Sequence, residues 1–324
     1  MKKTKVQSQA FRTLLQNPMA TRQLLLMGVL ILEIAIFALF LPNFRATTNF
    51  VNVIRQVSIT TITSTGMFMI ILLGDIDLSV GAMYAIIGVL CASFLIETGM
   101  VFPTILLGLL LGTGIGWIKG VIVAKGKVPS FVTTLAFMNI CRGAARVITG
   151  GAPLGIYNED YNVIGAGYIF KVIPIPVALM VLVLAVGYYI IRCTRLGRYI
   201  YAVGGNEAAS RWSGLRTDRV KIAVFTIAGL LTGLAAVVLS GRLGGGLPEA
   251  GDGAEMDAIT AVILGGTSLS GGRGSLAGVV LGVLVLGFLS NGLTMLQVSS
   301  YWQDIIKGLI ILFAVLIDSW HVKD

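Results

Sequence analysis

Ten apolar runs, separated by short polar or glycine-containing breaks, divide the chain almost from end to end. They lie at Gln23 to Leu41, Val51 to Leu73, Leu78 to Ile96, Pro103 to Ala124, Ser130 to Ile148, Ile173 to Ile191, Ile222 to Ser240, Ala258 to Leu264, Leu276 to Leu289 and Gln303 to Ile317. A stretch of roughly 17–25 apolar residues is enough to cross a hydrocarbon core of about 30 Å as a helix. Most of these runs approach or reach that length, and the eighth is short. The pattern predicts an all-α integral membrane protein of about ten membrane helices, some of them broken or short. It divides the chain into a polar segment at 1–22, a membrane domain at 23–318 that includes a polar connection at 192–221, and a tail at 319–324. The first run is long for a signal peptide core and is followed by no A-x-A-like site, so it reads as an uncleaved helix.

Composition supports this reading. Hydrophobic residues make up 56% of the 324 and charged ones only 12%, with a mean hydropathy of +0.90. The net charge of +9 does not point to nucleic acid, because Lys and Arg sit between apolar runs rather than on one face with interleaved aromatics. Positive loops remain on the cytoplasmic side. With the basic start (Lys2, Lys3, Lys5, Arg12, Arg22) inside, alternate crossings put Lys125, Lys127, Arg192, Arg195, Arg198, Arg211, Arg216, Arg219, Lys221 and Lys323 inside too. Glu159, Asp160, Glu249, Asp252 and Glu255 then fall outside. They are candidates for docking an external partner, with Arg242 nearby. Arg45, Arg55, Arg142, Arg146 and Lys171 fit less well, falling outside or within spans.

Cys91, Cys141 and Cys193 are dispersed and odd in number, which gives neither a disulfide framework nor a metal spacing. His321 stands alone in the tail. There is no G-x-x-x-x-G-K-[ST] phosphate loop, since Gly120 to Lys127 has one residue too many and Val128 follows. No paired acid and base or Ser/His constellation suggests an enzyme. The residues call for no cofactor and no metal.

Two breaks share a pattern. Leu73-Gly74-Asp75-Ile76-Asp77-Leu78-Ser79-Val80-Gly81 matches Leu264-Gly265-Gly266-Thr267-Ser268-Leu269-Ser270-Gly271-Gly272 at its Leu, Gly, Leu, Ser and Gly positions. Glycine-interrupted helices in both halves of a carrier point to a transport path. A carboxylate at membrane depth costs roughly 2.5–3.5 kcal/mol on insertion scales, so Asp75 and Asp77 face either a protein interior or a solvated turn. The glycine rows Gly108, Gly112, Gly116 and Gly278, Gly282 allow close helix packing.

The connection from Thr194 to Leu215 is patterned beyond a spacer. Asn206 suits an N-cap, Glu207 the first turn, Ala208 and Ala209 the helix, and Gly214 its close. A short helix tied at both ends to membrane spans can transmit a push from a partner.

Taken with Glu255-Met256-Asp257-Ala258-Ile259, Asn291-Gly292-Leu293 and Val298-Ser299-Ser300-Tyr301-Trp302-Gln303, these segments resemble the ribose-type sugar ABC permease family over nearly the whole chain. The resemblance implies a type II importer permease in the bacterial inner membrane, homodimeric, with both termini cytoplasmic. It implies a partner ATPase with two nucleotide-binding cassettes and a periplasmic sugar-binding protein. Gly204, Gly205, Asn206, Glu207, Ala208, Ala209 and Gly214 would contact the ATPase. By their own chemistry, the hydroxyl and amide groups of Ser79, Thr267, Ser268, Ser270 and Asn291 and the acids Asp75 and Asp77 are the candidates to line the path of a monosaccharide. The chain departs from the general coupling motif by having four residues, not three, between Ala209 and Gly214, and from its relatives by Asp75, where Gly is common. The competing class is an ion-coupled carrier in which Asp75 and Asp77 titrate.

Overall fold

The computed structural model describes residues 18–321, with side chains over 20–313 and at 316. Lys2, Lys3, Lys5, Arg12, Lys323 and the His321 side chain lie outside the described residues. Each apolar run becomes a helix: α1 Pro18–Phe40, α2 Thr47–Leu72, α3 Val80–Thr98, α4 Val101–Ala124 and α5 Ser130–Thr149. A short α6, Glu159–Ala166, precedes α7, Ile175–Cys193. Then come α8 Arg195–Gly205, α9 Glu207–Trp212, α10 Thr217–Leu243, α11 Ala254–Leu264, α12 Leu276–Met295 and α13 Ser300–His321. Several helices overrun their apolar runs because polar residues such as Thr217, Asp218 and Arg219 continue the helix beyond the hydrophobic stretch.

Seven of the described helices are long and apolar enough to cross a membrane: α1 (from Ala20), α3, α4, α5, α7, α10 and α12. α2 has the length, but its many Thr and Ser residues lower its hydropathy, and α11 has only 11 residues. α3 is central, with 72% of its most apolar window buried, whereas α1 is peripheral at 11%. Outward-facing Leu25, Leu39, Phe40 and Phe102 match a hydrocarbon solvent, and the backbone is paired within helices as lipid requires.

α10 packs along α4 and also against α2 and α3, while α12 packs on α11, α1 and α2. The glycine rows explain how close these approaches are. Gly112 faces Gly229 and Gly233 of α10, where a Cβ would lie 2.7 Å from the Gly233 Cα, and Gly282 faces Ala261 of α11. Both rows are thus spent on packing within the subunit.

Among the described residues, four two-residue strands form two antiparallel pairs, β1 (Leu154–Gly155) with β4 (Gly245–Gly246) and β2 (Tyr168–Ile169) with β3 (Ile173–Pro174). The stretch 150–171, polar in sequence, therefore holds structure. Asn158 caps α6 by accepting from the Tyr161 N–H at 3.1 Å, and the buried Tyr161 hydroxyl meets Ser240 Oγ at 2.8 Å.

Candidate functional site

The first break begins where α2 ends at Leu72. Gly74 takes φ +79°, which favours glycine, and the chain reverses before α3 starts at Val80. Asp77 accepts from both the backbone N–H and the hydroxyl of Ser79, at 2.9 and 2.6 Å. Its other oxygen pairs with Lys119 of α4, whose ammonium also donates to Ser79 Oγ at 2.7 Å. Asp77 is 2% exposed and Lys119 0%. Of the two settings open to the carboxylate, the structure shows the protein interior. Lys119 was not singled out from the sequence. The signal was there, however, as a lone lysine within the apolar run Pro103 to Ala124, which demands a partner at membrane depth.

The second break follows α11. Gly266, Gly271 and Gly272 take φ of +92°, +83° and +70°. The Ser268 and Ser270 hydroxyls lie 2.9 Å apart, and Thr267 and Ser268 are buried. Ser275 caps α12 by accepting from the Gly278 N–H at 3.1 Å. The two similar segments touch, since the Gly272 N–H donates to the Leu72 carbonyl at 2.9 Å. Arg22 of α1 donates to the Ile263 carbonyl at 2.8 Å, and Gln23 to Ser275 Oγ at 2.8 Å. One end of the bundle thus gathers the start of α1, the end of α2 and both breaks.

The connection between α7 and α10 sits on that same end. It forms two helices where the sequence predicts one, because Thr194 caps α8 through the Gly197 N–H (3.3 Å) before Asn206 caps α9 through the Ala209 N–H (2.9 Å). Gly214 closes α9 with φ +84°. Gly204 lies directly against the Leu72 carbonyl, and a Cβ on it would also come within 2.7 Å of the Gly272 nitrogen. Gly205 has open space where a side chain would project. Tyr201 adds a hydrogen bond from its hydroxyl to the Gly274 carbonyl at 2.9 Å.

A charged bridge reinforces the contact. Lys221 of α10 lies 2.9 Å from Glu207 and 3.5 Å from Asp75, joining the α9 segment to the first break. Arg211 approaches Glu207 at 3.2 Å and Asp218 at 3.3 Å. Burial pushes the Asp75 carboxyl above its ordinary value, against the opposing pull of Lys221. Burial acts the same way on Glu207, but there the hydrogen bond and charge of Lys221, with Arg211, prevail and hold it below its ordinary value.

Asn291 stands apart from this assembly. It exchanges amide hydrogen bonds of 2.9 and 3.0 Å with Asn49, which lies near the start of α2. At 1.5 Å per residue, Asn49 is roughly 35 Å along the helix from Leu72. The path residues named from sequence therefore lie at both ends of α2: Asp75 is tied to the α8–α9 connection through Lys221, Asp77 and Ser79 gather on Lys119 of α4, and Thr267, Ser268 and Ser270 belong to the break whose Gly272 lies against Gly204. Among the acids expected outside, Glu249 makes two contacts with Arg146 at 2.8 and 3.0 Å, Asp252 lies 4.0 Å from Arg142, and Glu255 is buried. Glu159 and Asp160 are exposed. Among the described residues no group of His, Cys, Asp and Glu is placed to hold a metal ion.

Residues 49–315 match the family described as branched-chain amino acid transport system / permease component. The chain belongs to this permease family. Both breaks, Lys119, the α8–α9 connection and Lys221 of this permease fall within the matched region. The permease is 44% identical to a ribose import permease of Haemophilus influenzae, over 90% of this chain and 91% of that one. It is 43% identical to a ribose import permease of Bacillus subtilis over the same shares, and 36% identical to a xylose transport system permease of Escherichia coli over 84% of each. None of the solved structures matches the permease.

Proposed function

We propose that this permease is the membrane-spanning subunit of an ATP-driven importer of ribose or a closely related monosaccharide. In this reading a periplasmic binding protein delivers the sugar, a partner ATPase supplies the energy, and two copies of the permease form the channel in the inner membrane. The 44% identity to ribose import permeases over nine-tenths of the chain carries the reading. The xylose relative keeps the substrate within small sugars.

The geometry suggests how a push could become a change of access. The α8–α9 connection, residues 195–212, lies on the cytoplasmic side and meets the ATPase through Glu207, Ala208, Ala209 and the exposed Trp212. Closure of the ATPase displaces it. Gly204 bears on Leu72 and Gly272 together, and Lys221 ties Glu207 to Asp75, so one displacement reaches both breaks. Buried, packed contacts of this kind move as units rather than deforming smoothly. The ends of α2, α3 and α12 then shift relative to α10, opening the sugar path to one side or the other. With this end inside, both termini are cytoplasmic and the membrane helices number about ten, the short α11 completing its crossing together with the non-helical segment 247–253 before it. Asp77, Ser79, Ser268 and Ser270 border the moving region and supply neutral or charge-compensated polar groups to it.

An ion-coupled carrier is not favoured, since Asp77 already has its charge met by Lys119. The test is reconstitution. Proteoliposomes holding the permease, its ATPase and sugar-loaded binding protein should take up ribose only with ATP. Permease alone, given any ion gradient, should concentrate nothing. Gradient-driven accumulation by the lone permease would replace this reading with the carrier.

A further inference from the structure

A cavity of about 190 Å³ opens between α2, α3, α10 and the segment leading into α11. It lies away from the breaks, toward the opposite end of the bundle. Gln56 and Thr60 of α2, Arg242 of α10, and Asp252 and Asp257 form its polar wall, and Ile59 and Leu239 its apolar one. Its floor is the hydrogen bond between Thr63 and Tyr84, both buried. One turn below Tyr84, α3 begins with the Ser79 and Asp77 cluster that Lys119 closes.

The wall holds unused hydrogen-bonding capacity. Arg242 is half-buried, yet its guanidinium has no hydrogen bond or ion pair with any described residue, and the Gln56 amide is likewise without a partner. Five guanidinium donors left idle in such a setting are costly unless a ligand or water meets them. The acids are placed differently. Asp257 is held by Lys307 of α13 at 2.9 Å, which balances its charge and leaves carboxylate lone pairs for other donors. Asp252 is mostly exposed at the rim.

We infer that this cavity is a transit site for one neutral monosaccharide, with Arg242 and Gln56 as its principal hydrogen-bonding residues. The inference rests on the importer reading and names where in the permease the sugar is first received. An anion could satisfy Arg242 but not the carboxylates, and a cation could do only the reverse. Hydroxyl groups donate and accept at once, so a polyol meets Arg242, Gln56 and the two Asp residues together. Ile59 and Leu239 offer a surface to the C–H face of a sugar ring. The cavity's volume of about 190 Å³ leaves room for a single small sugar. With the breaks inside, the cavity faces the side of the binding protein, and the Thr63–Tyr84 bond closes it beneath the sugar.

The experiment uses the complete transporter in proteoliposomes. Arg242→Gln should lower ATP-driven ribose uptake about tenfold, the loss of one charge-assisted hydrogen bond. Gln56→Ala should change the relative rates for ribose, xylose and arabinose. In a Cys193→Ser background, where the described remaining cysteines Cys91 and Cys141 are buried, Thr60→Cys gives a reporter in the wall. Saturating ribose should slow its reaction with a water-soluble thiol reagent, and phosphate should not. This labelling decides the matter even if Arg242→Gln assembles poorly. Ribose-independent labelling, protection by phosphate instead, or unchanged uptake by both variants in a transporter whose wild type pumps ribose would each overturn the site and leave the importer standing. A wild-type complex that pumps no sugar would instead remove the importer reading itself.

Discussion

Lys119 and Asp77 form an ion pair whose side chains are 0% and 3% exposed. A pair this deep gains from its Coulomb attraction about what it loses in desolvation, so its presence says little about net stability. Removing one partner is different, because the other is left as a bare buried charge at a cost of about 3–5 kcal/mol. Lys119→Met and Asp77→Leu should each lower the melting temperature of the detergent-solubilised permease sharply. The double variant should recover most of that loss and still import poorly, because the polar cluster with Ser79 is gone. Single variants as stable as wild type would show that the pair is not closed to water.

Two adjacent glycines should behave oppositely. A methyl group on Gly204 meets the Leu72 carbonyl and the Gly272 nitrogen, whereas one on Gly205 projects into open space. Overpacking of this kind costs about 1–3 kcal/mol or displaces the backbone. Gly204→Ala should shift α8 away from the breaks, and ATP-driven uptake in proteoliposomes should fall several-fold. Gly205→Ala should stay near wild type. Equal uptake by the two variants would mean that contact at Leu72 transmits nothing.

Much of this was legible in the sequence for a plain physical reason. Helices in lipid must be apolar along their length, so the seven described helices able to cross a membrane each coincide with an apolar run, and helix ends were blurred only where polar residues continued a helix past the hydrophobic stretch. The caps at Asn206 and Gly214 and the two glycine breaks are local signals and could be read locally. Lys119 meeting Asp77, Lys221 joining Glu207 to Asp75, and Gly204 lying on Leu72 are contacts between distant segments, and no spacing along the chain encodes them. The α6 helix was hidden because its eight residues carry only a weak apolar face, although Asn158 followed by Glu159 and Asp160 was an available start signal. Asn291 was grouped with the breaks on residue type alone, and the fold places it at the far end of α2.

The Lys221 bridge should give a stability that depends on pH. Glu207 has its carboxyl pKa held below the ordinary value, so its contribution is complete above the ordinary carboxylate range and is lost as pH falls through its folded value. Asp75 has its pKa raised by burial, so it takes up a proton sooner on acidification and costs stability while charged. Lys221 offsets that cost. Lys221→Met should therefore be most destabilising near neutral pH, and its gap from wild type should narrow as first Asp75 and then Glu207 become neutral. Thermal unfolding across a pH series checks this, and a gap that stays constant with pH would argue that Lys221 acts only through packing.

Glu159 and Asp160 are adjacent exposed acids with no direct ion pair to a described basic side chain, whereas Glu249 is already engaged by Arg146. If the binding protein reaches this end of the permease, charge here should act mainly on the rate of encounter. Both residues lie in the first turn of α6, where acids favour the helix by about 0.3–1 kcal/mol each, so charge reversal would confuse docking with local unfolding. Neutral replacement is the cleaner probe. Glu159→Gln with Asp160→Asn should raise the half-saturating concentration of binding protein in the uptake assay, and the effect should shrink as salt is added, while the maximal rate is kept. Glu249→Gln frees Arg146 and should shift the same concentration by altering the loop that carries Asp252, with a weaker dependence on salt. Identical salt profiles for the two variants would place the docking surface elsewhere on the permease.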